Sequence, residues 1–382
     1  MNKKPVVYVQ DSDYGSADRA IENIFLRFPL DVKDRLVWVK PNMLGDFIPE
    51  RHATTHPAVI KAIVNKLRSL GAKVVVGDNS GIQIMVSDIV AAKRTGLLEA
   101  SDGTFVNISK DVVYRKLGGG FDESIAVSKI VDDCDVFISA PKMKTHLQTL
   151  ITGAVKNSYG FVVGNQKPAL HMRHPDFNGF SALVSEIYNI RKPDLVIMDA
   201  VYAMEGDGPN SPRTRRLGKI FASDDGVALD HYMAKIMGMD PERVPLLKYC
   251  AERDIGSSDY ELQGGAVEEI IEDFRLPRTY YKSGAGNSLV DSLIYKFIMG
   301  KKIAVNRRLC SRCKKCMNIC PTGAITWDDG PVFNSKKCIL CFCCKEICDK
   351  DAISFAKRYV YAQRALNAIN KLKDRSAKKK RK

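Results

Sequence analysis

Nine of the chain's eleven cysteines fall between residues 310 and 348, in two runs of the same spacing. Cys310, Cys313, Cys316 and Cys320 are separated by two, two and three residues and lead into Pro321. Cys338, Cys341, Cys344 and Cys348 repeat that spacing 28 positions later, and Ile319, Ala324 and Ile325 recur as Ile347, Ala352 and Ile353. Three thiolates on one tight loop can grip three irons of a cubane, while the fourth iron needs a ligand from elsewhere, so the spacing is that of an iron–sulfur site. Structural zinc also uses Cys-x2-Cys pairs, but seldom two such runs. Cys343 aligns with Lys315 and is expected to be a bystander, whereas Cys134 and Cys250 stand in apolar stretches that suit buried structural thiols.

Over about 50 residues this segment resembles the bacterial two-[4Fe-4S] ferredoxin module, in which the fourth cysteine of each run serves the other cluster. The resemblance implies that Cys310, Cys313, Cys316 and Cys348 hold one [4Fe-4S] cluster, and Cys338, Cys341, Cys344 and Cys320 the second. Asp349 replaces the proline that follows the first run, a departure that removes no ligand. The formal charge is +15, and its placement matters more than its size. Residues 358–382 carry ten Lys/Arg against one Asp, and residues 307–357 carry ten against five acids, so residues 1–306 are nearly balanced. Eight thiolates on two cubane cores of about +2 each would lower the total to about +11.

Residues 1–285 read as an alternating α/β domain. Short β-branched runs at Val6–Gln10, Leu36–Lys40, Val74–Asp78, Val136–Ala140, Leu195–Asp199 and Ile220–Ser223 predict buried strands. The clearest helix starts at Thr55-His56-Pro57, with Thr55 as cap, runs through Val59, Ile60, Ile63, Val64, Leu67 and Leu70 on one face, and stops at Gly71. The expected fold class is therefore α/β, a mostly parallel sheet with helices on both faces, joined to a small α+β ferredoxin-like domain.

Ligands in such sheets gather at the carboxyl ends of the strands. The residues there are Lys40-Pro41-Asn42, Asp78-Asn79-Ser80, Pro141-Lys142-Met143-Lys144-Thr145-His146 and Asp199; Lys156-Asn157, His171, His174 and Glu205-Gly206-Asp207-Gly208-Pro209 join them from later segments. Together with Thr54-Thr55-His56-Pro57, Gly71-Ala72-Lys73, Lys156-Asn157-x2-Gly160 and Asp224-x2-Val227-Ala228-Leu229-Asp230, this series resembles the domain of unknown function 362 family across nearly all of residues 1–265. The resemblance implies one site-bearing domain and a recurring iron–sulfur partnership, without a settled reaction. On side-chain chemistry, His146, Lys144, His56, Lys156, His171 and Asp207 are the candidates for catalysis. Lys40, Asn42, Asp78, Ser80, Lys142, Asn157 and Glu205 are the candidates for holding a cofactor or substrate. Clustered ammonium groups favour an anionic small molecule; the histidines with Asp78, Asp199, Glu205 and Asp207 leave a metal or an acid–base pair open.

The chain has neither a Gly-x4-Gly-Lys-Ser/Thr phosphate loop nor an early Gly-x-Gly-x2-Gly turn, which argues against an ATPase or a plain nicotinamide dehydrogenase, and a further metal, flavin or corrinoid stays open. Residues 286–305 predict a linker helix after a hinge at 282–288, its stripe of Leu289, Leu293, Ile294, Phe297 and Ile298 docking the ferredoxin module at 306–357. Residues 358–382 predict an amphipathic helix and a basic tail, expected to be solvated, with an anionic membrane or nucleic acid as lesser alternatives. With no apolar window of about 18 residues and no export signal, the expected location is cytoplasmic. The leading functional reading is an iron–sulfur oxidoreductase served by a redox partner of ferredoxin, flavodoxin or reductase type. An electron-transfer or cofactor-handling adaptor without turnover and a metal-dependent isomerase or racemase with structural clusters are the alternatives.

Overall fold

The structure is a computed structural model that describes residues 4–80, 87–163, 166–265, 270–280, 303–348, 350 and 352–355. The expected hinge at 282–288, the stripe Leu289 to Ile298, Asp349 and the segment 358–382 lie outside the described residues. Among the described residues the large domain has eleven strands: β1 (Val6–Asp11), β2 (Leu36–Pro41), β3 (Lys73–Val76), β4 (Val112–Lys116), β5 (Ser124–Ser128), β6 (Val136–Ala140), β7 (Lys142–His146), β8 (Leu150–Thr152), β9 (Leu195–Met204), β10 (Thr214–Ser223) and β11 (Glu261–Gly264). Nine of them form one sheet in the order β11-β1-β10-β9-β6-β2-β3, with β7 beside β9 and β8 beside β7. Strands β4 and β5 make a separate hairpin.

The sheet is mostly parallel, as the alternation of strands and helices requires. Strands β8 and β10 are the exceptions: β8 returns antiparallel beside β7. Strand β10 runs antiparallel to both β1 and β9, because the chain turns straight back after Met204 with no crossover helix. Both faces are covered. The helices Ala17–Arg27 and Pro57–Ser69 bury Ile21, Ile24, Ile60 and Ile63 against Val37 and Val39, while Phe177–Ile190 and Gly226–Ile236 bury Phe180, Leu183 and Leu229 against the side carrying Trp38 and Phe137.

The Pro57–Ser69 helix corrects one expectation. Its cap is His56, whose Nδ1 accepts from Ala58 N at 3.2 Å, while Thr55 is drawn inward to accept from Asn42 N and donate to Ala140 O. Leu70 is outside the apolar face, and Gly71 ends the helix with φ +81°.

The cysteine-rich part is built from two small antiparallel ladders, β12 (Ile303–Val305) with β15 (Ile353–Phe355) and β13 (Ile325–Trp327) with β14 (Pro331–Phe333). The linker helix expected over 286–305 therefore does not reach its predicted end: Ile303–Val305 is a strand of the following module.

At the carboxyl ends of β2 and β3 a buried ion pair ties the strands together. Lys40 Nζ lies 2.6 Å from Asp78 Oδ1 and donates to Asn157 Oδ1 at 3.1 Å, with both ion-pair side chains almost completely covered. Burial pulls the lysine down and pushes the carboxyl up, and each holds the other toward its charged form. Gly160 closes over this pair so tightly that a Cβ there would stand 2.2 Å from Asp78 Oδ1 and 2.5 Å from Lys40 Nζ. Gly160→Ala is expected to break the pair and lower unfolding stability by about 3–5 kcal/mol, the usual cost of disrupting a buried ion pair; unchanged urea unfolding would show that the loop shifts freely.

Candidate functional site

Strand β6 and strand β7 lie in line along β9, separated by Pro141, so the chain delivers Lys142 opposite Asp199 and Lys144 opposite Met204. The Lys144 side chain is fully buried, its Nζ donating to Ala53 O at 2.8 Å. Burial first, and the Lys156 charge second, pull its pKa down to about 7. Lys156 lies with Nζ 4.5 Å from the Tyr159 ring centre and 5.6 Å from that of Phe180, and burial lowers it to about 8. Lys167 donates to Asn79 O and Ser80 O at 2.7 and 3.2 Å, and burial lowers it to about 8 as well. Among the described residues none of these three ammonium groups has a carboxylate within ion-pairing distance.

The three lysines line one cleft of about 770 Å³, counted out to open solvent. Asn42, Asp78 and Asn157 form its wall at the β2 and β3 ends, and buried Asn42 Oδ1 has no hydrogen-bond partner. His171 stacks on Phe180 at 4.2 Å, and burial drives it to about 3, so it is neutral at physiological pH. The Nδ1 of His146 accepts from the backbone N–H groups of Gln148 and Thr149 at 3.0 and 3.2 Å, which leaves the ring proton on Nε2. That Nε2 faces Glu346 Oε1 at 3.4 Å.

Glu346 belongs to the cysteine-rich module, which closes this side of the cleft together with Cys343 and Ile319. Phe47, Ala53 and Met204 of the large domain pack on Ile319, Cys341, Cys343 and Ile347. Asn210 Nδ2 donates to the carbonyls of Glu346 and Cys348 at 3.2 and 3.1 Å, and Arg51 in turn donates to Asn210 Oδ1. Burial opposes ionisation of Glu346, but His146, His171 and Lys156 outweigh it and hold the carboxyl down at about 2.

Four of the cysteines line a common cavity. A second cavity, about 350 Å³ counted out to open solvent, is lined by Cys310, Cys313, Cys316 and Cys348. Cys344 has Cys341, Cys338 and Cys320 around it, along with Cys316. Burial, then the neighbouring Cys348, Cys313 and Cys310, push the Cys316 thiol up to about 11, so it ionises at neutral pH only when a metal withdraws its proton. The two runs share a backbone: Arg312 and Lys314 have positive φ, as do Leu340 and Phe342, 28 positions on. Ala324 N donates to Cys320 Sγ at 3.2 Å and Ala352 N to Cys348 Sγ at 3.3 Å. Such turned N–H groups form cradles for anionic clusters. Among the described residues no three His, Cys, Asp or Glu side chains converge on a single metal ion.

The remaining candidates sit elsewhere. Lys142 Nζ pairs with Asp199 at 2.9 Å and donates to Tyr14 Oη at 3.0 Å; the Tyr14 ring stacks on His56 at 3.5 Å, and His52 stacks on Tyr202. This cluster is separate from the cleft lining. Glu205 and Asp207 are also outside it. Glu205 faces Arg215 and Arg275, and Asp207 faces Arg278, so that both anchor the segment 270–280 to the large domain. His174 faces Glu123. Ser80 is buried beside the lining, its carbonyl held by Lys167. Cys134 and Cys250 are buried as expected, but Cys343 is no bystander in position, since it forms part of the cleft wall. Lys167, Tyr159 and Glu346 escaped the sequence reading. The signal for Glu346 was an acid inside a cysteine run whose other copy has Asn318 at the matching position.

This geometry defines a mostly parallel α/β domain with a lysine-lined cleft, closed on one side by a ferredoxin-type domain, and residues 303–326 match the 4Fe-4S binding domain. Residues 37–235 match the domain of unknown function DUF362, and the chain belongs to that family. A thylakoid-associated protein of Synechocystis sp. is 31% identical over 248 residues, covering 63% of this chain and 76% of the relative. Two solved structures are more distant. A Thermotoga maritima protein has TM-score 0.35 and 14% identity, over 49% of this chain and 50% of that one. The lactate racemase apoprotein of Thermoanaerobacterium thermosaccharolyticum has TM-score 0.36 and 10% identity, over 61% and 57%. This chain thus spans half the length of the first and 57% of the second. No helix among the described residues is long and apolar enough to cross a membrane.

The lysine pKa values fix a pH dependence. An ammonium attracts an anion only below its pKa, so binding through Lys144, Lys156 and Lys167 is full near pH 6 and declines as the pH rises through about 7 and 8. Calorimetry with sulfate, whose charge is constant over this range, is expected to show weakening affinity from pH 6 to 9, and less of that slope in Lys156→Met. A flat profile would place anion binding elsewhere.

Proposed function

We propose that this chain is an iron–sulfur oxidoreductase that passes electrons between two [4Fe-4S] clusters and an anionic small molecule held in the lysine-lined cleft. One observation carries the reading: Cys343 and Glu346, which lie in the second cysteine run, are also wall residues of that cleft. The two sulfur quartets and the repeated N–H···S contacts support a cluster count of two. Bound clusters supply one electron at a time.

The chain's own residues have distinct parts in this reading. Lys144, Lys156 and Lys167 bind carboxylate or phosphate oxygens and compensate charge that builds on the substrate. Asn42 Oδ1, buried without a partner, accepts from a substrate hydroxyl or amide. His146 presents its Nε2 proton, held there by the two N–H groups on Nδ1, and Glu346 steadies the ring from across the module boundary. The Tyr159 and Phe180 rings and neutral His171 exclude water from the inner end. A cytoplasmic setting and a soluble electron donor belong to the same reading.

Anaerobically purified protein is expected to contain about eight iron and eight sulfide per chain, as two four-iron cubanes require; predominant zinc would end the redox reading. With the clusters reduced, a panel of carboxylic and phosphorylated metabolites is screened for accelerated cluster reoxidation. The accelerating compound is expected to lose its effect by about 10²–10⁴-fold in His146→Ala, the usual contribution of a positioned proton donor, with cluster spectra unchanged. Turnover of an anion at the same rate whether the clusters are reduced or oxidised would favour isomerase chemistry instead.

A further inference from the structure

Of the eight ligand cysteines, Cys313 alone is exposed; Cys316, Cys341 and Cys344 are buried and the rest are partly covered. The quartet Cys310, Cys313, Cys316 and Cys348 thus opens outward, on the loop that carries its first two ligands. That loop is strongly basic. From residue 303 to 327 the chain has five Lys/Arg and no Asp or Glu. Arg307, Arg308, Arg312 and Lys314 are all exposed around Cys310 and Cys313. Leu309, 49% exposed, sits in their midst. The nearest acid to engage them is Asp329, 3.0 Å from Arg312, and with about two thirds of each side chain in water that pair neutralises little.

We propose that the loop from Arg307 to Lys314 is the docking surface for an acidic one-electron carrier protein. The inference rests on the redox reading of the cleft and adds to it the surface and charge of the partner. A small apolar contact at Leu309 ringed by cations suits a transient redox encounter, in which opposite charge steers approach and a modest area lets the partners separate. In the step itself one electron leaves the reduced carrier and enters the cluster held by the exposed quartet; no bond forms or breaks. An anionic membrane would also be drawn to the charges, but it makes no use of their position around the one exposed ligand.

The test uses full-length holoprotein and an acidic [2Fe-2S] ferredoxin as the carrier. Anaerobic calorimetry is expected to show binding that weakens with salt and is about tenfold weaker in the Arg308→Glu, Arg312→Glu, Lys314→Glu triple variant. Stopped-flow reduction by the reduced ferredoxin is expected to slow in parallel, while dithionite-reduced methyl viologen reduces both proteins at the same rate. Equal binding by wild type and variant, or tighter loop-dependent binding to phosphatidylglycerol vesicles than to ferredoxin, would overturn the assignment. Failure of viologen to reduce the wild-type clusters would instead overturn the redox reading on which it rests.

Discussion

Burying an ammonium group without a carboxylate is among the most costly arrangements a protein can hold, and Lys144 and Lys167 are buried in this way in one cleft, with Lys156 partly covered beside them. Lys40 and Lys142 show the alternative, each fully covered beside its own aspartate. Lys144, Lys156 and Lys167 have backbone carbonyls or aromatic rings instead. A fold bears that cost where the missing counter-charge arrives with a ligand.

The same cost explains how the two modules are joined. Glu346 is the carboxylate nearest the inner lysines in charge terms, and it comes from the cysteine-rich module rather than from the sheet. Its position depends on Asn210 holding the carbonyls on both sides of Ile347, and on the apolar contact of Phe47 and Met204 with Ile319 and Ile347. Docking the module therefore completes the cleft as well as covering apolar surface. One turn of chain, Cys343 to Glu346, belongs both to the second cysteine run and to the cleft wall.

Much of this was legible in the residues alone. The six strand runs are strands, because β-branched stretches of five or so residues between helices have few other solutions. The rule that ligands gather at carboxyl ends of parallel strands picked out Asn42, Asp78, Lys144 and His146, the later polar segments added Lys156, Asn157 and His171, and the fold brings all seven to one cleft. Lys142, at the same strand ends, joins a second polar cluster with Tyr14 and Asp199, where His56 at the helix cap stacks on Tyr14, since position along a strand does not tell which neighbour a side chain meets. Glu205 and Asp207 looked like site residues but face arginines that come later in the chain. Glu346 was hidden for a different reason: its importance comes from the contact between modules, which no local pattern encodes.

The cleft and the cysteine-rich module share a wall. Crystallography of anaerobically prepared holoprotein, with anomalous scattering at the iron edge, tests this most directly. The expected result is two four-iron centres, one of them immediately behind the turn from Cys343 to Glu346, with His146 and Lys156 on the opposite side of the same cavity. Iron centred elsewhere, a single zinc on the sulfurs, or a module docked so that Glu346 no longer faces His146 would contradict it.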